Sequence, residues 1–157
     1  HALQWHFIGR IQSNKCKLIA NQFSCVQTLD RPKIAQRLSN LRIQPEPLNV
    51  LIQVNLDDDP NKGGVDRNGA QTLLEQLLTL PSLAPRGLMT ILAKSTDSRV
   101  GYESVAQLHQ DLKQQFAGDL AQWDTLSMGM SADLEEAISA GATMIRVGTD
   151  LFGARSN

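Results

Sequence analysis

The feature that most constrains the fold of this chain is a regular alternation between short apolar runs and longer stretches of helical periodicity. Several of the short runs are almost continuously apolar, which is typical of parallel strands covered on both faces. The alternation therefore predicts repeated β-α units in a parallel sheet. The predicted strands are 5–9, 25–29, 48–55, 87–92, 123–128 and 143–147.

Between these runs, apolar residues recur at intervals of three and four, which predicts amphipathic helices. Pro81 stops one helix, and Gly118 and Gly141 end two others. Ser131 is a candidate N-cap for the last helix, whose first turn is acidic and so suits the positive helix end. The predicted helices cover 12–20 (the weakest pattern), 34–41, 69–80, 105–118 and 131–141.

The β-α order fits two architectures, a doubly wound sheet or a barrel, and the pattern alone does not choose between them. Six strands can make a doubly wound sheet, whereas a closed (β/α)8 barrel requires eight. The 157 residues contain no internal repeat, low-complexity tract or linker, so we expect one domain over residues 1–157.

Composition excludes several classes of protein. The apolar fraction of 41% is ordinary for a globular core, and the net charge of −1 creates no global attraction to nucleic acid or anionic membranes. No apolar run reaches the roughly 18 residues of a membrane helix. Cys16 and Cys25 lack the spacing of a metal or redox motif, which indicates reduced thiols and a cytoplasmic protein. Because the chain opens with His1, we interpret it as an incomplete record.

Two loops after late strands are candidates for anion binding. The first is the Ser127-Met128-Gly129-Met130-Ser131 segment, in which small residues allow close backbone approach and hydroxyl groups act as donors. The second is Arg146-Val147-Gly148-Thr149, which offers a cation, a glycine backbone and a hydroxyl group. In (β/α)8 barrels the phosphate site is frequently built from the loops after strands seven and eight. A purely structural alternative stays open, because Ser131 can serve as a helix cap and Gly129 as a turn residue.

Other polar residues give weaker signals. His6 either lines a pocket or packs in the core, and Asn55 lies at the carboxyl end of the clearest strand, where ligands bind in parallel folds. The acidic loop 57–59 is interpreted as a solvated loop rather than a cation site, and the Lys62-Gly63-Gly64 segment forms either an anion-binding nest or a simple turn. The basic patch of Arg10, Lys15 and Lys17 is interpreted as solvated surface. We find no metal-ligand spacing, no Walker or GxGxxG motif and no nucleophile–base pair.

Five motifs, in order along the chain, resemble those of the YggS/PROSC family of pyridoxal 5′-phosphate (PLP) binding proteins. Residues 5–15 resemble its W-H-F-I-G-x-L-Q-x-N-K signature, Lys62 to Gly64 its K-x-G loop, and Gly87-Leu88-Met89 its G-L-M strand. The segments LSMGMSAD (126–133) and IRVGTDLFG (145–153) resemble its C-terminal signatures.

The resemblance implies a (β/α)8 TIM barrel similar to the N-terminal domain of alanine racemase, here lacking its first two strands. It implies a non-catalytic protein that binds PLP and buffers or delivers it to PLP-dependent apo-enzymes, without membrane or nucleic-acid partners. A racemase-like PLP enzyme and a regulatory or RNA-linked module are the alternatives. The family's Schiff-base lysine and its G-E-N strand precede anything in this chain, so a sheet with two unpaired edges and poor stability is expected.

The family's site residues carry over to three sets of positions. The resemblance places the phosphate at Ser127, Gly129, Ser131 and the backbone of Met128 and Met130, with Gly148 and Thr149 completing the site. Arg146 corresponds to the arginine that faces the pyridine nitrogen. His6, Asn55 and Met89 are expected at the barrel mouth, and none of the lysines occupies the Schiff-base position.

Overall fold

The computed structural model describes residues 3–57, 59, 61–120 and 122–153, and within them strands and helices alternate. The strands are β1 (His6–Phe7), β2 (Cys25–Leu29), β3 (Leu48–Val54), β4 (Leu83–Thr90), β5 (Thr125–Met130) and β6 (Met144–Arg146). A 3-10 turn at Ser13–Lys15 precedes the first helix. The helices are α1 (Cys16–Gln22), α2 (Pro32–Leu41), α3 (Arg67–Leu78), α4 (Ser98–Gln115), α5 (Leu134–Ser139) and α6 (Thr149–Phe152). Among these described helices, none is both long and apolar enough to cross a bilayer.

Strand order chooses between the two architectures that the sequence left open. The six strands are all parallel and lie in the order β1-β2-β3-β4-β5-β6. A doubly wound sheet requires the order to reverse at a switch point, and this sheet has no reversal among its described strands. The fold is therefore a singly wound half-barrel of six parallel strands.

The sheet is strongly curled. The Ser127 hydroxyl on β5 donates a hydrogen bond of 2.6 Å to Oε1 of Gln27 on β2. Because neighbouring strands lie about 4.8 Å apart, strands three places apart in a flat sheet would be separated by about 14 Å. The side chains of β2 and β5 can meet only across a concave face.

The central strands contribute side chains to two separate cores, one on each face of the sheet. On β3, Val50, Ile52 and Val54 belong to the large core, which the outer face of the sheet forms with buried side chains of α1 to α5. Leu51 belongs instead to a small cluster with Cys25 and Met89 on the concave face. The large core stabilises the half-barrel, and the concave face is left for polar side chains at both ends of the strands.

Arg86 forms a hydrogen-bond network at the amino-terminal end of the concave face. Arg86 donates to Oδ2 of Asp124 at 2.6 Å, to Oδ1 of Asn49 at 3.2 Å and to the carbonyl of Gln122 at 2.9 Å. The Arg86 hydrogen bond is the main cause that lowers the pKa of Asp124. This network joins β3, β4 and the residue before β5 at the amino-terminal end of the strands.

The predicted elements are confirmed except at several boundaries. Strand β4 begins at Leu83 rather than Gly87, because Pro85 lies at a register shift opposite Val50 and so does not interrupt the strand. Helix α4 begins at Ser98, well before the predicted start, because the Asp97 carboxylate accepts the Val100 amide as an N-cap. Helix α6 was not predicted.

Both edge strands are short, and neither has a second neighbouring strand among the described residues. Large apolar side chains are exposed next to both edges: Leu3 and Trp5 beside β1, and Ile145, Leu151 and Phe152 on and after β6. Unpaired strand edges with exposed apolar side chains favour association with further strands. The described sheet is therefore open between β6 and β1.

Gly87 is expected to be essential for the contact between β4 and β5. Its φ is +149°, and an added Cβ would lie 1.8 Å from the Thr125 carbonyl oxygen. We expect Gly87→Ala to lower the free energy of unfolding by about 2–4 kcal/mol in urea titration. The control is Gly118→Ala, where nothing lies within 4 Å of the added carbon. Equal stability of the two variants would contradict this packing.

His109 on α4 is a buried histidine without polar partners. Its side chain is stacked on Trp123 with ring centroids 5.2 Å apart, and the residue is 5% exposed. Neither ring nitrogen has a hydrogen-bond partner among the described residues. Burial, aided by the charge of Lys113, lowers the pKa of His109 from 6.5 to about 4.

We expect this histidine to make the protein less stable in acid. Between pH 6.5 and about 4 the unfolded chain binds a proton that the folded chain does not, so the free energy of unfolding falls as pH drops through this window. The expected loss is about 3 kcal/mol relative to His109→Phe, which keeps the stacking but does not titrate. Urea titrations of both proteins at several pH values measure the difference, and parallel pH profiles would refute it.

Candidate functional site

The carboxyl ends of β5 and β6 lie side by side and open onto one cavity of about 800 Å³. Ser131 and Met130 line it from the turn after β5, and Gly148 and Thr149 line it from the loop after β6. His6 and Arg146 line it from the edge strands. Six of the predicted site residues are thus brought together at the open side of the half-barrel. The remaining lining residues are Gln4, Ile8, Gln27, Ile91, Ala132, Met144, Ile145 and Val147.

Arg146 is a cation held in a fixed position. Its Nη1 donates to the Ser127 hydroxyl at 2.9 Å, and its Nη2 donates to the Thr90 carbonyl at 2.7 Å. No described carboxylate forms an ion pair with it. Burial lowers the pKa of Arg146, but an arginine remains charged at neutral pH. The cavity therefore contains a guanidinium group whose charge is available to a ligand.

A chain of hydrogen bonds extends from Arg146 across the concave face. Ser127 accepts from Arg146 and donates to Gln27 Oε1, and Gln27 Nε2 lies 2.9 Å from Nδ1 of His6. Because an amide NH2 group only donates, Nδ1 of His6 must accept, and the imidazole is neutral with its proton on Nε2. Burial lowers the pKa of His6, which agrees with a neutral ring.

The turn after β5 is held by Asp133. The Asp133 carboxylate accepts the Met130 amide at 2.8 Å and the Tyr102 hydroxyl of α4 at 2.8 Å. Burial and the neighbouring Asp133 raise the pKa of Tyr102, which therefore stays protonated as a donor. The Met130 N–H is thus already bonded and is not available to an anion.

The predicted cap at Ser131 is wrong. Residues 131–133 form a turn, and α5 begins at Leu134 with Asp133 in the N-cap position. The Asp133 side chain makes no capping bond, because it is bonded to Met130 and Tyr102 instead. Ser131 is left half-buried on the cavity wall rather than at a helix end.

Gly129 is required by the packing of α5 against β5. Its φ is +91°, and an added Cβ would lie 2.5 Å from the Cβ of Ala137 on α5. Gly129 therefore allows close approach of the helix and the strand, and this close approach positions the following turn.

Besides Gly129, four predicted site residues lie outside the cavity lining. Ser127 is fully buried beneath the cavity and contacts it through Arg146, and Met128 is buried in the large core. Met89 lies in the small cluster on the concave face. Asn55 exchanges two hydrogen bonds with the backbone of Asp59, so it orders the loop after β3.

A second cavity of about 530 Å³ lies beside the first and shares Ile8 and Ile91 with it. Arg10, Arg31 and Lys62 line the second cavity, whereas none of the described lysines lines the first. Lys62 Nζ donates to the Ile91 carbonyl at 2.9 Å and lies within 3.7 Å of carboxylate oxygens of Asp57 and Asp59. Lys62 therefore connects the loop after β3 to the end of β4.

Residues 2–156 match the family described as alanine racemase, N-terminal domain. This chain belongs to that family. The match covers nearly the whole sequence and agrees with the sequential parallel sheet.

Curated relatives carry one name, pyridoxal phosphate homeostasis protein. The chain is 48% identical over 157 residues to that of Pasteurella multocida, covering 98% of this chain and 66% of the relative. It is 43% identical over 157 residues to that of Escherichia coli K12, covering 98% and 65%. The chain thus spans just under two thirds of the length of these relatives.

Solved structures agree with the fold. The PipY protein of Synechococcus elongatus PCC7942, with PLP bound, superposes with a TM-score of 0.86 at 33% identity, covering 96% of this chain and 71% of PipY. An alanine racemase of Clostridium difficile 630 superposes with a TM-score of 0.73 at 16% identity, covering 100% of this chain and 41% of the racemase. The second similarity concerns the fold alone.

Sequence reasoning missed three residues that organise the site: Gln27, Tyr102 and Asp133. Gln27 lies in the middle of a short strand, and its partner Ser127 is 100 residues away. The only local signal was a glutamine between Val26 and Thr28 in a run expected to be apolar. Asp133 was noted only as part of an acidic helix turn.

We expect Gln27→Glu to raise the pKa of His6. The introduced carboxylate would accept a hydrogen bond from Nδ1–H of the imidazolium, whereas the Gln27 NH2 group that faces Nδ1 can only donate, so the change would favour the imidazolium form. Titration of the His6 ring signals by NMR should show a rise of about one unit or more. Gln107→Glu, on the exposed surface of α4, is the control and should leave His6 unchanged. An unaltered His6 titration in Gln27→Glu would exclude the proposed hydrogen bond.

Proposed function

We propose that this chain forms the larger part of a non-catalytic PLP-binding protein that buffers or delivers the cofactor in vitamin B6 homeostasis. The observation that carries the proposal is that the turns after β5 and β6 converge, together with Arg146, on one cavity. The name of the curated relatives and the PLP bound to PipY support the same ligand.

The residues present fit a phosphorylated pyridine. Ser131 and Thr149 offer hydroxyl donors, and Gly148 offers a backbone without a side chain. Met144, Val147 and Ile91 supply an apolar wall for an aromatic ring. A cavity of about 800 Å³ is ample for a ligand of this size. When bound, PLP supplies an aldehyde that reacts with amines and a ring that withdraws electrons.

Each residue of the site has a proposed role. Ser131, Gly148 and Thr149 bind the phosphate, whereas Gly129 and the backbone of Met128 and Met130 shape the turn. Arg146 faces the pyridine nitrogen, and Ser127 fixes its guanidinium group. His6 lines the mouth, and Met89 and Asn55 support it from the concave face and the loop after β3.

Arg146 and His6 limit the chemistry that the site can support. A guanidinium group next to the pyridine nitrogen disfavours protonation of the ring, which weakens the ring as an electron sink. His6 is neutral and already bonded through Nδ1 to Gln27, so it is a poor acid at neutral pH. The state of His6 supports a carrier rather than a racemase-like enzyme, although the family also includes racemases.

We further propose that the complete domain is a (β/α)8 barrel, closed by two strands between β6 and β1. Three observations support closure: the strands are in sequential order, both edges lack further partners in the described part, and this chain covers only 66% of the length of a relative. The lysine that binds PLP covalently would lie on one of the added strands. Residues 1–157 then belong to a single barrel domain.

The proposed partners are PLP itself and PLP-dependent apo-enzymes that receive it. The proposed compartment is the cytoplasm, which the free and buried state of Cys16 and Cys25 supports. Delivery requires release of the cofactor from the cavity at the carboxyl ends of β5 and β6.

Selective loss of phosphate binding tests the proposal. In the complete protein encoded by the gene, we expect Ser131→Ala combined with Thr149→Val to weaken PLP binding by roughly 10- to 100-fold, because hydrogen bonds to charged groups are lost. Binding of pyridoxal, which lacks the phosphate, should be almost unchanged. Absorbance titrations with both ligands provide the measurement, and Ser139→Ala on the exposed side of α5 is the control.

Two outcomes would reject the function. The first is that the unaltered complete protein fails to bind PLP. The second is that the double variant loses PLP and pyridoxal equally, since the site would then not recognise phosphate. An alanine racemisation assay on the unaltered protein separates the carrier from the enzyme: racemisation that depends on PLP would favour the enzyme.

A further inference from the structure

Positive charge is concentrated in one segment of the chain. Residues 10–45 contain seven of the 15 basic residues but only one of the 16 acidic residues, Asp30. The rest of the chain therefore has 8 basic and 15 acidic residues, so a net charge of −1 conceals two regions of opposite sign. The seven basic residues are Arg10, Lys15, Lys17, Arg31, Lys33, Arg37 and Arg42.

Five of these residues lie on the adjoining segments β1–α1 and α2 and are defined here as the cationic face: Arg10, Lys15, Lys17, Lys33 and Arg37. They lie on the connection after β1, at the start of α1 and in the first half of α2, at the carboxyl-terminal end of the strands. The Arg37 side chain donates to the Ser13 carbonyl at 2.9 Å, which joins α2 to the turn before α1.

No described carboxylate neutralises the cationic face. Asp30 pairs with Arg31, which lies outside the face. Elsewhere in the described chain, Lys62, Arg67, Arg86 and Arg99 all form ion pairs with aspartate or glutamate. Other described cations, among them Lys94, Lys113 and Arg146, also lack ion pairs, but they do not share one short segment of the chain as these five do.

One of these cations lies where it weakens its own helix. Lys33 is in the first turn of α2, which contains no acidic residue. A positive charge near a helix amino terminus opposes the helix dipole and is unfavourable there. Its presence is explained if the charge has a use in binding that offsets its effect on the helix.

The cationic face contains a groove with an apolar floor. The groove is about 450 Å³ in volume and runs between Ser13 and the exposed side of α2. Lys33 and Arg37 line its sides, and Ile34, which is 3% exposed, and Leu41 supply apolar surface. This combination fits an apolar side chain flanked by carboxylates.

We propose that the cationic face is a docking surface for an acidic segment of a recipient protein, with an apolar side chain in the groove. The recipient is a protein that takes up the cofactor, so this inference rests on the proposed function. Arg10 also lines the second cavity, which shares Ile8 and Ile91 with the first. A protein docked on the face would therefore lie next to the cofactor mouth.

The features of the face favour a protein over a nucleic acid. Single-stranded nucleic acids are bound by grooves that contain aromatic stacking platforms, and neither the face nor the groove contains an aromatic residue. A cationic segment beside an acidic remainder instead suits a protein surface of complementary charge. Such charge complementarity speeds association at low ionic strength.

The test uses the complete protein without PLP, so that docking is measured independently of cofactor binding. The probe is a short fluorescein-labelled peptide with one leucine between aspartates and glutamates, followed by anisotropy. We expect Lys33→Glu with Arg37→Glu to weaken peptide binding by roughly tenfold or more, and added salt to weaken binding to the unaltered protein. The matched control is Lys94→Glu with Lys113→Glu, two exposed lysines outside the face that give the same change in net charge.

A second measurement connects docking to delivery. The rate of PLP transfer from the loaded complete protein to an apo-aminotransferase should fall in the face variant and not in the control, while PLP affinity stays the same in both. Equal peptide binding by the two variants would overturn the proposal, as would tighter binding of a single-stranded RNA than of the peptide. If the unaltered complete protein does not bind PLP, the proposed function is rejected. The peptide-binding result, which is measured without PLP, remains valid in that case.

Discussion

The hydrogen bond from Ser127 to Gln27 is the contact on which the shape of the site depends. It joins β2 to β5 across three strand spacings, and Gln27 Nε2 also lies 3.1 Å from the Met144 sulfur on β6. These contacts accompany the curl of the sheet, which brings the edge strands towards each other. Without that curl, His6 on β1 and Arg146 on β6 would lie at opposite ends of a sheet and would not share a cavity.

The concave face is divided along the strands into three layers with different tasks. Arg86 and Asp124 lie at the amino-terminal end, Cys25, Leu51 and Met89 fill the middle, and the Arg146–Ser127–Gln27–His6 chain lies above them. Because the large core lies on the other side of the sheet, polar residues occupy the upper layer without weakening the main source of stability. Ligand binding and folding therefore depend largely on different side chains.

The sequence was sufficient to predict elements whose signals are local. All six strands and both loops of the site were found, because apolar runs and glycine-rich turns are visible within a few residues. Strand order has no such local signal, so the half-barrel and the doubly wound sheet were indistinguishable until the pairing was known. Gln27 was missed for the same reason, since its role depends on a partner 100 residues away. Asp133 was assigned to a helix turn because sequence spacing does not reveal Tyr102 on α4 as its partner.

The position of Asp133 raises the question of how an anion can bind beside a carboxylate. Its two oxygens accept hydrogen bonds from Met130 N–H and the Tyr102 hydroxyl, so both are already engaged within the protein. The charge of Asp133 also acts on Arg146 and favours its cationic form. A phosphate entering the cavity would therefore meet a turn whose one acidic group is bonded inward, with the guanidinium of Arg146 as the nearby charge. Affinity for the phosphate then depends on the rigid placement of the two turns rather than on an excess of positive residues, which this protein carries on the separate surface of α1 and α2.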